Sequence, residues 1–162
     1  MGFTQKYTII SPIDVVYEGQ SFRSEEWPIH ITIADTFAIS CIDDYLLNEF
    51  QVMNKKSAIK VVANYETYFG ENKDVRVMIF KNSEALLQCH HEIIQKLEKL
   101  GAIFNNPEYN NDGFKAHITQ RKSNTIAPGA QLELKTLAVI DMFPDKDPYQ
   151  RKVMKIINIG KR

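Results

Sequence analysis

Polar and apolar residues alternate along much of the chain, and the alternation predicts strands. "KYTIISPI" (6–13) reads as the first, and a more polar stretch, 17–26, leads into a second at 28–34. In that second strand, within "WPIHITIAD" (27–35), period two puts His30 and Thr32 on one face and Ile29, Ile31 and Ile33 on the other. "AIKVVANYETYFG" (58–70) and "DVRVMIFK" (74–81) are β-branched and aromatic around the turn-like "GENK", the pattern of a hairpin. "FKAHITQRK" (114–122) repeats the histidine strand, with His117 and Thr119 sharing a face. "QLELKTLAVIDMF" (131–143) and "RKVMKIINI" (151–159) close the chain as two further strands.

Two segments change period from 2 to 3.6. Ser40 with Asp43 fits a capping box before Ile42, Tyr45, Leu46, Phe50 and Met53, a helix ending near Lys55. A second helix is predicted from Ser83 to Leu100, with Leu86, His90, Ile93, Leu97 and Leu100 as its buried stripe and Gly101 as its C′ residue. "NNPEYNNDG" (105–113) is full of turn formers and reads as a loop. The expected order is two strands, helix, two strands, helix, three strands. That order predicts an α+β fold, bilobal, with two pseudo-symmetric, mostly antiparallel sheets, helices on their outer faces and a central groove.

Length and composition narrow the class without naming it. At 162 residues, 1–162 is expected to form a single bilobal domain, and 44% hydrophobic with 25% charged residues is ordinary for a globular chain. The 20 basic and 20 acidic side chains cancel, which argues against a nucleic-acid coat protein and leaves room for a small phosphate pocket. Cys41 and Cys89 form no framework and read as reduced, buried thiols. "MGFTQKYTIISPID" lacks the long apolar region of a signal peptide, and no run is long enough to span a bilayer, so a cytoplasmic location is expected.

The repeated His-Ile-Thr strand is where chemistry enters. If the two halves pack about a pseudo-twofold axis, His30 and His117 face one groove. Two imidazoles across a small cavity make an acid/base pair, one neutral to accept a proton from water, one charged to protonate a leaving oxygen. Thr32 and Thr119 would offer hydroxyls to a phosphate's non-bridging oxygens. Parity puts Arg121 on the face of His117 and turns Lys122 away. Such a site suits in-line attack on a phosphodiester and calls for no metal and no cofactor.

Two HxTx motifs at this separation resemble the two-histidine (2H) phosphoesterase superfamily, the 2′-5′ RNA ligase-like proteins and cyclic phosphodiesterases. "YFGENKDVRVMIFK" is similar to that family's segment between lobes. "NSEALLQCHHEIIQKLEKLG" is similar to the helix before its second motif, and "LKTLAVIDMFPDKDPYQRKVMKIINI" to its closing hairpin, where a Tyr follows the turn, here Tyr149. The resemblance implies hydrolysis of 2′,3′-cyclic or 2′-5′ phosphodiester bonds of a nucleotide or RNA terminus. It implies His30 and His117 as catalytic residues and Thr32, Thr119, one of Arg121 and Lys122, and Tyr149 toward substrate. The chain departs from the pattern at Ala116, where many relatives have Pro, and at Gln120, where they have an apolar residue.

Other readings stand beside this one. A catalytically weak module capturing a nucleotide or RNA end is one; the same fold acting on a cyclic oligonucleotide or an ADP-ribose cyclic phosphate is another. His90 reads as a core histidine bonded to a carbonyl, His91 as a rim residue. Tyr65, Tyr68 and Phe69 read as core, with base stacking as the alternative. Trp27 and Phe114 flank the motif strands and either wall the groove or simply pack.

Overall fold

A computed structural model describes residues 5–40, 48, 50, 57–122 and 125–159. The predicted first helix, from Ile42 to Lys55, falls almost wholly outside the described residues, as does Cys41. Ten strands and one helix are assigned within them: β1 (Lys6–Pro12), β2 (Ser21–Arg23), β3 (His30–Ala38), β4 (Ile59–Phe69), β5 (Val75–Phe80), α1 (Glu84–Lys99), β6 (Ile103–Phe104), β7 (His117–Thr119), β8 (Gln131–Leu134), β9 (Thr136–Asp141) and β10 (Gln150–Asn158).

The strands form two sheets, one ordered β2-β10-β9-β1-β3-β6 and one ordered β7-β5-β4-β8, with every pairing antiparallel. The β4–β5 hairpin is the one its alternation predicts. The run 131–143 is not one strand. It breaks at Lys135, so that β8 pairs with β4 while β9 pairs with β1 and β10. One apolar stretch thus serves both sheets, and the larger sheet is built from both ends of the chain. Two short strands, β2 and β6, carry no readable period because two or three residues are too few to show one.

One core joins the sheets. Ile31, Ile33 and Phe37 of β3 pack with Met78 and Phe80 of β5, Ile118 of β7 and the inner side of α1. Ile31 and Ile118, the central residues of the two His-Ile-Thr triplets, are each fully buried. A buried Ile contributes about 1.5–3 kcal/mol relative to exposure, enough to pin each motif strand with its histidine side turned out of the core. β3 and β7 come close to one another where the sheets meet, although they share no ladder. The groove between the motifs follows from that approach.

Helix α1 begins with Ser83, whose Oγ accepts from the Leu86 amide at 3.3 Å. It ends at Leu100, followed by Gly101 at φ +83°, the left-handed conformation a C′ residue needs. Its buried side is Leu86, Cys89, His90, Ile93, Ile94 and Leu97. Leu100, expected in the stripe, is exposed because the helix ends there and its backbone turns away from the core. Tyr65 and Tyr68 are also exposed, against the expectation of core, because the outer half of β4 projects past the packed region; Phe69 is partly buried. No helix among the described residues is long and apolar enough to cross a membrane.

Candidate functional site

His30 opens β3 and His117 opens β7, and the two are held alike. The His30 Nδ1–H donates to the carbonyl of Pro28 at 2.7 Å, and the His117 Nδ1–H donates to the carbonyl of Lys115 at 2.8 Å. In each case the acceptor lies two residues back, and in each case Nε2 is the nitrogen left for a ligand. Each ring also has an aromatic neighbour: Trp27 at 5.1 Å from His30 and Phe69 at 4.9 Å from His117, centroid to centroid. Trp27 is braced in turn by Phe22 at 5.1 Å and by the Arg151 guanidinium 5.9 Å above its ring. Trp27 therefore packs, while Phe114 and Phe69 wall the groove.

The electrostatics separate the two rings. Burial, opposed by the Pro28 hydrogen bond and reinforced by the positive charges of His117 and Arg121, lowers the pKa of His30 to about 4. His30 is therefore neutral at physiological pH. That both charges reach it places His117 and Arg121 near the same ring. Arg121 follows β7 and reaches across to the other sheet, where its Nη1 donates to the Glu25 carbonyl at 3.2 Å. Lys122 is exposed.

A cavity of about 550 Å³ opens between the motifs, and Thr32 and His117 lie on its wall. Of the expected site residues, His30, Thr119, Arg121, Lys122 and Tyr149 do not line it; Thr119 is exposed, and the Tyr149 ring is exposed just before β10, with its carbonyl accepting from the Ser24 amide at 2.9 Å. Sequence reasoning missed several of the wall residues. Asp35 reaches the cavity because β3 carries extra residues against β1: Ile10 pairs with Thr32, Ile9 with Ala34 and Tyr7 with Phe37, so simple alternation fails after Thr32. Glu108, Tyr109, Gly113 and Lys115 come from the segment before β7, which is two short 3₁₀ turns, Pro107–Tyr109 and Asn111–Gly113.

His90 anchors this segment. Its Nδ1–H donates to the Ile33 carbonyl at 2.6 Å, and its Nε2 accepts from the Asn111 amide at 2.9 Å. Its ring lies parallel to Phe114 at 3.9 Å. His91 reaches Asn111 Oδ1 through Nδ1 at 2.9 Å. The core-histidine reading of His90 misses this second half: one ring links the first motif strand to the segment that leads into the second. Gln120, the departure after the second motif, is buried and pins the chain beyond β7. Its Oε1 accepts from the Ile126 amide at 2.8 Å, and its Nε2 donates to the Ile126 carbonyl at 2.7 Å and to Glu66 at 3.2 Å. An apolar side chain could make none of those three bonds. Among the described residues no group of three His, Cys, Asp or Glu side chains is placed to hold a metal ion.

The sequence matches no protein-family model and no curated protein. The fold, in contrast, is shared with solved structures of LigT and of a phosphoesterase. E. coli LigT in complex with NADP+ superposes with a TM-score of 0.57 at 10% identity, covering 99% of this chain and 100% of that one. E. coli LigT in complex with 3′-AMP gives 0.55 at 10% identity over 98% and 99%. A crystal structure described as a phosphoesterase gives 0.56 at 9% identity over 97% and 99%. At such identities the likeness is one of fold.

Proposed function

We propose that the protein is a phosphodiesterase acting on 2′,3′-cyclic or 2′-5′-linked nucleotide phosphates, with His30 and His117 as its acid/base pair. The observation that carries this is the matched tethering of the two rings: each opens its motif strand, each is fixed through Nδ1 to a carbonyl two residues back, and the charge of His117 acts on His30. The fold shared with LigT, which binds 3′-AMP and NADP+, supports a nucleotide as the ligand.

The neutral state of His30 assigns the roles. His30 takes a proton from water at Nε2 as the water oxygen attacks phosphorus. His117 gives a proton from its Nε2 to the ribose oxygen as the phosphorus–oxygen bond breaks. A base kept unprotonated by burial is available for the first half of such a reaction. Thr32, Thr119 and Arg121 hold the non-bridging oxygens. Departure of the 3′ oxygen from a 2′,3′-cyclic phosphate leaves a 2′-phosphate. Ligation is the reverse, with a ribose hydroxyl in place of water, and the same groups serve it.

Turnover of 2′,3′-cyclic nucleotides and 2′-5′ oligoadenylates by the wild type, against a His30→Ala/His117→Ala double variant, tests the reading. Release of a 2′-phosphate by the wild type alone is expected. Background rates for both proteins on every phosphodiester contradict it.

Two further outcomes are expected. The acidic limb of the kcat/KM profile lies near pH 4, because His30 stays unprotonated down to that value, and activity at pH 5.5 stays within about twofold of that at pH 7 on this limb. A limb centred near 6.5 would show that a histidine with an ordinary pKa is the base. Arg121→Ala lowers kcat/KM by roughly 10–100-fold, mostly through KM, as loss of a charge-assisted phosphate contact does. It also moves the acidic limb upward, since one positive neighbour of His30 is gone. Unchanged kinetics with an unchanged limb would remove Arg121 from the site.

A further inference from the structure

The cavity has more wall than the phosphate chemistry uses, which is Thr32 and His117. Two further wall residues are acidic, Asp35 from β3 and Glu108 from the 3₁₀ segment, and Phe69, Phe114 and Tyr109 are its aromatic wall residues. Asp35 is partly buried, and one of its oxygens, Oδ2, accepts from the Asn106 amide group at 3.0 Å. No ion pair involves Asp35 among the described residues. Lys115 lies on the same wall but forms no ion pair with Asp35, so this carboxylate calls for hydrogen-bond donors from whatever fills the cavity.

The cavity's size and aromatic walls limit what that ligand is. About 550 Å³ accommodates one nucleoside and not a stretch of oligonucleotide. Phe114 is backed by the parallel His90 ring at 3.9 Å, and His90 is itself held by two hydrogen bonds, so one face of Phe114 is a fixed platform at the wall. A flat heteroaromatic ring stacks on such a surface. Asp35 stands three residues beyond Thr32 on β3, roughly 10 Å at the usual strand rise and less across the irregular register there, which is of the order of the reach from a ribose phosphate to its base. A ribose hydroxyl, bonded next to the phosphate, does not reach so far.

Taking these together, and resting on the phosphodiesterase reading for the phosphate's position, we infer that the cavity receives the substrate's nucleobase and that Asp35 selects bases with an exocyclic amino group. Adenine N6, cytosine N4 and guanine N2 each present donors to a carboxylate. Uracil and hypoxanthine place a carbonyl oxygen where cytosine and adenine carry the amino group; that oxygen faces the Asp35 charge, and their own donor, the ring N–H, lies one position along the edge. A site built to accept a hydrogen bond rejects the analogue that lacks the donor, because its own group is then left unpaired.

Adenosine and inosine 2′-monophosphates differ in this edge and share their ribose and phosphate, so calorimetric binding of each to the wild type is the direct test. Adenosine is expected to bind about tenfold more tightly or better, and Asp35→Asn, whose amide can donate to a carbonyl, is expected to bring the ratio within about threefold. Should that variant fold poorly, by its melting temperature, cytidine against uridine 2′-monophosphate on the wild type asks the same question, with cytidine expected to win. Equal affinities within a pair, no binding of either at millimolar concentration, or a preference that persists in a folded Asp35→Asn protein would each overturn the inference. Binding separates this from the catalytic reading. A clear amino-base preference without turnover of any cyclic nucleotide would sink the phosphodiesterase and leave the base pocket standing.

Discussion

Alanine at His30 or at His117 is expected to lower kcat/KM on a 2′,3′-cyclic nucleotide by about 10³-fold or more, with little change in melting temperature. General acid/base catalysis contributes about 10²–10⁴-fold per group, and in the proposed reaction both groups act on one phosphorus centre in one step. The effects should not add: the double variant loses scarcely more than either single one, because each histidine works only while the other does. Stability should hold because each ring sits at the first residue of its strand and only partly in the core, while the adjoining Ile31 and Ile118 carry the packing. Steady-state kinetics with a thermal melt checks both halves. A variant retaining a tenth or more of wild-type activity would exclude that histidine from the chemistry.

The second large effect is structural. A methyl group on Gly113 would sit 1.8 Å from the Glu108 carbonyl oxygen and 3.0 Å from its carbon. Both are backbone atoms, so no side chain can swing aside to relieve the overlap. The 3₁₀ turns must reopen instead, and the Gly113–Asn110 and Asn111–His90 hydrogen bonds go with them. Gly113→Ala is expected to cost about 3 kcal/mol, the upper end for overpacking, and so to lower Tm by about 6–12 °C. Because Glu108, Tyr109 and Phe114 wall the cavity, KM should rise more than kcat falls. A Tm within 1 °C of wild type and an unaltered KM would mean that the segment is not packed as described.

The parts of this molecule that were legible in its sequence are those that local period and capping define. β4 and β5 show alternation over enough residues to read, and Ser83 and Gly101 mark both ends of α1. The motif strands were legible for the same reason, each being a polar pair interleaved with buried Ile. Tertiary choices were not. Lys135 marks a change of sheet, and its one trace in "QLELKTLAV" is the polar pair Lys135-Thr136, too short an interruption to announce a new strand. Asp35 enters the cavity through a register irregularity between β3 and β1, a pairing event that period two on one strand cannot reveal. Glu108 and Tyr109 sit in a stretch whose turn formers say loop and nothing about where the loop folds. The lowered pKa of His30 depends on how deeply its ring is covered and what stands beside it. The sequence holds a signal for His90, a histidine in an apolar helical stripe, but not for its second partner at Asn111.

All of this depends on two imidazole Nε2 atoms meeting at one phosphorus centre. The most direct measurement is a crystal structure with adenosine 2′-monophosphate or vanadate bound. The phosphorus or vanadium should lie between β3 and β7, with both Nε2 atoms within about 3.2 Å of its oxygens on opposite sides. An anion held by one histidine alone, or seated elsewhere while the rings stay unoccupied, would contradict the account.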